Sequence, residues 1–257
     1  MKERKMEPRL EDLKIMQLRP QNHQLAEELE ELQMLAGGRK HPHMNFDALL
    51  QIVDPELGEP GYVIVTMDKS IKKPVGFYIG LKGDREGKQT LLTLFSGVHP
   101  DYENLGIATM MHDQARKLAG SRIKQSTIRP YNISSLIVNL NHQGFRVANR
   151  YGPRKHRFVV RGRMDFPKKE IDVSALGNLQ RVNLQNSSLN RAREEIRSLS
   201  QQRRQFLLEL IEERGHPLET AYKYVDWDRF RGVHVHSEGN RKFLLLTPTM
   251  APRKASA

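Results

Sequence analysis

The run Val98-His-Pro-Asp-Tyr-Glu-Asn-Leu-Gly-Ile-Ala108 places a glycine and a small residue at the foot of a predicted helix. A strand that ends at Val98 and turns through a glycine into a helix is, physically, an anion site. Backbone N–H groups of the turn converge, the first helical turn leaves its donors unpaired, and the dipole favours negative charge there. Gly106 lets a phosphate approach the backbone with no Cβ in the way, and Ala108 does nearly the same. Each dipole contact contributes only about 0.3–1 kcal/mol, up to about 2 when partly buried, so affinity must come from several amides at once. An ordinary strand-to-helix turn has the same composition, and the run alone does not separate the two.

Other chemistry is excluded or incomplete. Cysteine is absent, which removes disulfides, thiolate metal sites and thiol nucleophiles. His41-x-His43 and His234-x-His236 would each present two imidazoles on one face of a strand. Two ligands do not make a metal site and no carboxylate spacing completes either, so no metal is expected.

The elements that must position the turn are legible. Residues 14–19 read as a short strand stopped by Pro20, and 24–35 as a helix ended by Gly37-Gly38. Asn45 caps a second helix over 46–53, stopped by Asp54-Pro55. Residues 62–66, 74–81 and 90–95 read as strands, with a hairpin loop over 82–88. After the turn, Ile107, Met110, Met111, Ala115 and Leu118 form one apolar stripe of a helix that Gly120 ends. Residues 123–128 are a strand, Asn132 caps a helix to about 141 with Gly144-Phe145 at its end, and 158–160 is a final strand. A meander followed by strand–helix–strand–helix is a mixed α/β pattern. No repeat or low-complexity tract is visible.

At these residues the sequence resembles the GNAT superfamily of N-acetyltransferases. That family's main motif is similar to Val98, Pro100, Tyr102, Glu103, Gly106 and Ala108 in register, and its second motif to Asn132 through Gly144-Phe145. The resemblance covers about 12–160. It implies a mixed, mostly antiparallel central sheet with flanking helices. It also implies acetyl-coenzyme A as co-substrate and an amine, of a small molecule or a protein, as acceptor. The amides of Asn104, Leu105, Gly106, Ile107, Ala108 and Thr109 would hold the pyrophosphate. The backbone around Ser96 to Val98 would pair with the pantetheine arm, in the manner of an added strand. Asn132 would sit near the thioester.

Two positions depart from the family's pattern. Glu103 stands where an Arg or Gln is usual, and a carboxylate 4 Å from a phosphate charge would cost about 4 kcal/mol at an effective dielectric of 20. The helix after Asn132 has one extra residue before Gly144-Phe145. Its Asn139, Leu140 and Asn141 cover the place where the family often carries a Tyr that protonates the leaving thiolate, or an Asn, which Asn139 fits.

An amine must be neutral to attack a thioester. His99 titrates in the right range, although its position equally suits an exposed loop histidine. Tyr131 is a candidate acid through its place beside Asn132. Thr93 and Ser96 are able to hold a water, Tyr102 reads as a packing residue of the turn, and positioning of the two substrates is itself catalytic.

Beyond the core, Leu189, Ala192, Ile196, Leu199, Arg203, Phe206 and Leu210 alternate at spacings of three and four, predicting a helix over about 186–214. Its cover would be the core or a second copy of the chain in a homodimer. Its arginines also make nucleic acid a candidate partner. Residues 222–230 read as helical, 242–246 as a strand and 251–257 as a disordered tail.

The 257 residues carry 42 Lys+Arg against 30 Asp+Glu. Residues 1–60 hold 8 basic and 12 acidic side chains, 61–150 hold 13 and 6, and 151–257 hold 21 and 12. The excess of positive charge therefore lies in the middle and the C-terminal third, which favours anionic partners. No run of 18 apolar residues and no signal peptide is present, so no membrane contact and a cytoplasmic location are expected. The expected division is an acetyltransferase domain over 1–163 and a mainly helical, basic extension over 164–257. The rivals to an acetyltransferase are a non-catalytic binding or regulatory protein on the same fold, and an enzyme acting on tRNA-linked or basic protein substrates.

Overall fold

The structure, a computed structural model, describes residues 9–37, 43–57, 61–85, 88–120, 122–151, 157–163, 171–172, 174–185, 187–202, 204–211 and 217–249. His41, Arg203, the tip of the 82–88 hairpin and the tail 251–257 lie outside them. The chain forms two compact units, 1–124 and 125–257. The expected domain limit after 163 lies inside the second. No helix among the described residues is long and apolar enough to cross a membrane.

The first unit opens with β1 (Leu13–Gln17), α1 (His23–Gly37) and α2 (Phe46–Val53), then β2 (Tyr62–Asp68), β3 (Lys73–Arg85), β4 (Lys88–Val98) and α3 (Ile107–Ala119). The four strands are antiparallel neighbours in chain order. Strand β2 has Tyr62 through Thr66 all buried, because helices cover both its faces. Side chains alternate along a strand. Phe77 and Ile79 therefore join Leu29, Leu32 and Leu49 in one core with α1 and α2. Gly76 meets α3 on the other face. Asn45 Oδ1 accepts from the Ala48 amide at 3.0 Å and caps α2 as its sequence predicts. The β3–β4 ladder slips by one residue between Ile79 and Gly80, leaving Leu94 unpaired in a bulge of β4.

Strand β5 (Ile123–Ile128) begins in the first unit and ends in the second, which continues through α4 (Ile133–Leu136), a π-helical segment (Ile137–His142), β6 (Arg146–Tyr151), β7 (Arg157–Arg163) and β8 (Gln180–Val182). Then come α5 (Leu189–Gln202), β9 (Phe206–Glu209), a 3-10 segment (Pro217–Tyr224), β10 (Phe230–Glu238) and β11 (Arg241–Pro248). Its strand order is β5-β7-β6-β10-β11-β9-β8. Among the described ladders of this unit, β8 and β9 pair in parallel and the others are antiparallel. The extra residue before Gly144-Phe145 is absorbed by the π-helical turn, in which the Gln143 amide donates to the Val138 carbonyl five residues back.

Three expectations about the C-terminal third are corrected. The predicted helix over 186–214 ends at Gln202, and the extension is not mainly helical but contributes β8, β9, β10 and β11. Residues 206–211, Phe-Leu-Leu-Glu-Leu-Ile, are all buried. A short apolar run of that kind fits period two as well as period 3.6, and burial on both faces decides for a strand. The segment expected as a helix over 222–230 is a 3-10 turn that closes by Tyr224. The first half of the seam does behave as expected, with Ala192, Ile196 and Leu199 buried within the chain.

Candidate functional site

The turn between β4 and α3 is built from backbone. The His99 amide donates to the Val75 carbonyl at 2.8 Å, holding the end of β4 on β3. A 3-10 turn over Pro100–Tyr102 follows, with Pro at its first position where no N–H is needed. Asn104 and Gly106 both have left-handed backbone, at φ 65 and φ 77. The first intrahelical bond of α3 runs from the Met110 amide to the Gly106 carbonyl at 3.0 Å. The amides of Asn104 through Thr109 thus meet no acceptor among the described residues. Left-handed residues followed by a helix start gather successive N–H groups into a concavity suited to an anion. No atom lies within 4 Å of where a Cβ on Gly106 would stand, so the approach is open. Glu103 is exposed.

The turn is anchored by a residue the sequence did not single out. Asp68, at the end of β2, is only 2% exposed. Its Oδ1 accepts from the Ser70 amide and hydroxyl, and its Oδ2 from the Tyr102 hydroxyl at 2.7 Å. Burial pushes this carboxyl up, but the bonds from Ser70, Tyr102 and the Ile71 backbone outweigh it and hold it below the usual value. Burial and the Asp68 carboxylate push the Tyr102 hydroxyl up to about 12. Tyr102 is therefore a neutral strut of the turn, the packing role its sequence suggested.

His99 sits edge-on to Tyr102, with ring centroids 5.7 Å apart, and its Nδ1 accepts from the Asp101 amide at 3.2 Å. That bond puts the proton of the neutral imidazole on Nε2. As placed, His99 shapes the turn, with its Nδ1 engaged by that amide. Ser96 is exposed and lies opposite Tyr78, and Val98 lies opposite Gly76. The Thr93 and Tyr78 hydroxyls bond at 2.8 Å, so Thr93 is already engaged.

A buried polar pair lies in the same unit. Lys124 is 1% exposed and its Nζ bonds the Nδ1 of His112, itself 2% exposed, on α3. The ammonium position is 5.2 Å from the ring of fully buried Tyr78. Burial first, and the Arg116 charge second, hold Lys124 well below the usual lysine range, and burial with the Lys124 charge does the same to His112. The alternation Ile-Lys-Gln-Ser-Thr-Ile over 123–128 reads as a strand with a solvated face, so this pair is not legible in sequence.

The remaining candidates belong to the second unit. Asn132 is exposed, and its Oδ1 caps α4 by accepting from the Ser135 amide at 3.1 Å. The Tyr131 hydroxyl accepts from Arg129 Nη1 at 2.6 Å. Asn139 is 4% exposed, its amide donates to the Ser135 carbonyl at 2.8 Å, and its own carbonyl accepts from Phe145. Asn139 is thus turned into its own helix. Asn141 spans outward, donating to the Val235 carbonyl and accepting from the Val235 amide, both at 2.8 Å. His99 and the 104–109 amides are brought together by one turn, and Tyr131, Asn132 and Asn139 by one helix.

On β10, His236 Nε2 lies 3.3 Å from Glu238, which Arg181 also grips. No group of three metal-ligating side chains occurs among the described residues.

No protein-family model matches the chain, and no curated protein matches it. Solved structures of similar chain course include the NatC complex bound to Gag peptide and CoA, at TM-score 0.47 and 13% identity, over 58% of this chain and 97% of that one. Another is Arabidopsis thaliana NAA60 in complex with acetyl-CoA, at TM-score 0.47 and 14% identity, over 59% of this chain and 99% of that one. A third is an acetyltransferase of the GNAT family from Streptococcus pneumoniae, at TM-score 0.45 and 13% identity, over 59% of this chain and 98% of that one.

Proposed function

We propose that the chain is an acetyl-coenzyme A-dependent N-acetyltransferase of the GNAT type, and that its transferase domain is the region 1–163. The observation that carries this reading is the run of acceptor-free amides from Asn104 to Thr109 on two left-handed residues at the start of α3. It falls where the resemblance puts the pyrophosphate. Leu105, Gly106, Ile107 and Ala108 would contribute main-chain donors, and Ser96 to Val98 would pair with the pantetheine arm. The thioester of the bound co-substrate supplies the acetyl group, and the acceptor is a primary amine.

The chain's own residues hold and orient. His99 and Tyr102 fix the turn, and Glu103, facing solvent, leaves the phosphates uncontested. We assign loss of the amine's proton to water rather than to His99, whose Nδ1 is engaged, and place most of the rate in positioning. By the same resemblance Asn132 would lie near the thioester, and Tyr131, its neighbour in sequence, is the candidate acid.

One observation favours an acceptor carried on a polyanion such as tRNA over a basic protein. Arg193, Arg197 and Lys223 stand 5.3, 5.9 and 5.0 Å from the ring centre of Tyr224. Three cations around one ring repel a basic partner and suit stacked, phosphate-bearing ones.

Calorimetry with acetyl-coenzyme A tests the reading. Binding in the full chain that is lost in Gly106→Val supports it. Absence of heat with the wild-type chain at millimolar co-substrate refutes the enzyme reading and leaves a binding protein on this fold.

A further inference from the structure

The order strand–helix–strand–helical turn–hairpin occurs twice. It runs β4, α3, β5, α4 with its π turn, β6, β7, and again β8, α5, β9, the 3-10 segment, β10, β11. The spacing between the two is nearly constant. Strand β4 ends at Val98 and β8 at Val182, 84 residues on; β6 starts at Arg146 and β10 at Phe230, and β7 starts at Arg157 and β11 at Arg241, again 84 each. The same offset aligns Val98, Leu105 and Ala108 with Val182, Leu189 and Ala192. It also aligns buried His112 and Ala115 of α3 with buried Ile196 and Leu199 of α5.

Within the second unit the strand order β5-β7-β6 is mirrored by β10-β11-β9. Both hairpins carry one extra residue near the start of their first strand, Ala148 in β6 and Val233 in β10. Where the two halves meet, Val147 pairs antiparallel with Gly232, its own counterpart to within one residue. A two-fold axis between equivalent copies requires that pairing.

We infer that residues 180–248 are a second, partial copy of the segment 88–163, fused in the same chain so that it occupies the edge of β6 as a partner subunit would. The junction is a core rather than a loose contact. Phe158 of the first copy packs on Tyr222 and Trp227 of the second, with ring centroids 5.4 and 5.6 Å apart. Asn141 adds the two bonds to Val235.

The second copy has lost the features of an anion turn. Asn190 stands at the Gly106 position. The helix start is capped by Ser188, whose hydroxyl accepts from the Arg191 amide at 3.3 Å. The turn also holds its own carboxylate. Fully buried Glu209 accepts from the Gln185 amide at 2.9 Å and from Arg241 Nε at 2.7 Å, and Arg241 also reaches Asn183. The chain is therefore a monomer that completes its own sheet, with one co-substrate turn and one structural replica of it. The single-turn clause rests on the acetyltransferase reading.

Three measurements on the full chain test this. Light scattering over a range of concentrations is expected to give the 29.7 kDa mass of one chain, and a two-chain mass overturns the self-completed monomer. Hydrogen exchange is expected to show the β6 amides and Gly232 protected like the core, and edge-like exchange along β6 overturns the fusion. Titration with coenzyme A is expected to saturate at one per chain and to be unchanged by Asn190→Trp, a substitution at an exposed position. Two equivalents per chain, one of them lost in that variant, overturn the inactive replica. If coenzyme A binds nowhere, the acetyltransferase reading fails and the duplication is decided by mass and exchange alone.

Discussion

The Tyr102 hydroxyl donates to the buried Asp68 carboxylate across 2.7 Å, tying the turn before α3 to the far end of β2. Backbone alone does not fix a loop with two left-handed residues, since such conformations cost free energy and persist only when their surroundings determine them. The strut supplies that determination. Tyr102→Phe should therefore cost about 1–3 kcal/mol, because a buried carboxylate loses a donor. The loss has a pH signature. Asp68 titrates below its ordinary 3.8 when folded. Its contribution is full above that value and is lost as pH falls through the depressed one. In the Phe variant the depression shrinks, so the acid limb of a urea-melt series should move to higher pH. An unmoved limb would remove Asp68 from the account.

Gly106 sits at φ 77 with open space beside it. Gly106→Val should cost about 1–2 kcal/mol through backbone strain, and should abolish the stabilisation by coenzyme A, about 2.7 kcal/mol at 100 times the dissociation constant. Gly106→Asn tolerates the left-handed region better and should be milder in stability. Differential scanning with and without coenzyme A reads both effects, and a Val variant with an intact ligand shift would move the site elsewhere.

Gly76 seats the first turn of α3. A Cβ there would stand 2.7 Å from Ile107 Cγ2 and 3.3 Å from the end of Met111. Gly76→Ala should therefore displace the start of α3, cost about 1–3 kcal/mol by overpacking and weaken coenzyme A binding. Gly83→Ala, on the same strand with nothing within 4 Å, serves as the control. Equal behaviour of the two variants would mean that α3 shifts freely.

Lys124 and His112 are both held well below their ordinary values of 10.5 and 6.5 by burial. Between each depressed value and the ordinary one, the unfolded chain binds more protons than the folded one, so stability rises with pH there. The offset of 84 puts Ile196 and Leu208, both fully buried, at these positions in the second copy. The double variant His112→Ile with Lys124→Leu should fold, gain about 1–4 kcal/mol at neutral pH and lose the rise of stability with pH that lies below the ordinary lysine value of 10.5. A retained slope in denaturant melts would assign it to other groups. Reduced acetyl transfer in the stabilised variant would show that the polar pair serves activity.

The local signals were sound wherever chain neighbours decide the outcome. Asn45 and Asn132 cap their helices, Gly120 ends α3, and the meander strands cover the predicted segments, although β3 runs on to Arg85 and β4 starts at Lys88, so most of the loop expected over 82–88 is strand. The heptad-like seam reads on through 206–210, but Phe206, Leu207 and Leu208 suit either period, and only their neighbours β8 and β11 make the run a strand. The inferred repeat is not legible in the sequence, because few identities survive at the offset of 84; it rests on the element order and on the pairing of β6 with β10.

The sequence by itself determined the order of elements in the N-terminal half and the glycine turn at Val98–Ala108, because propensity, capping and left-handed glycine act within a few residues. Tertiary structure decided what those residues do. It engaged Nδ1 of His99, turned Asn139 into its helix, made Asp68 an anchor across 34 residues and buried Lys124 against His112. Each of these depends on which side chain a distant strand or helix brings within about 3 Å, and hydrogen bonding at that range is set by packing rather than by spacing along the chain.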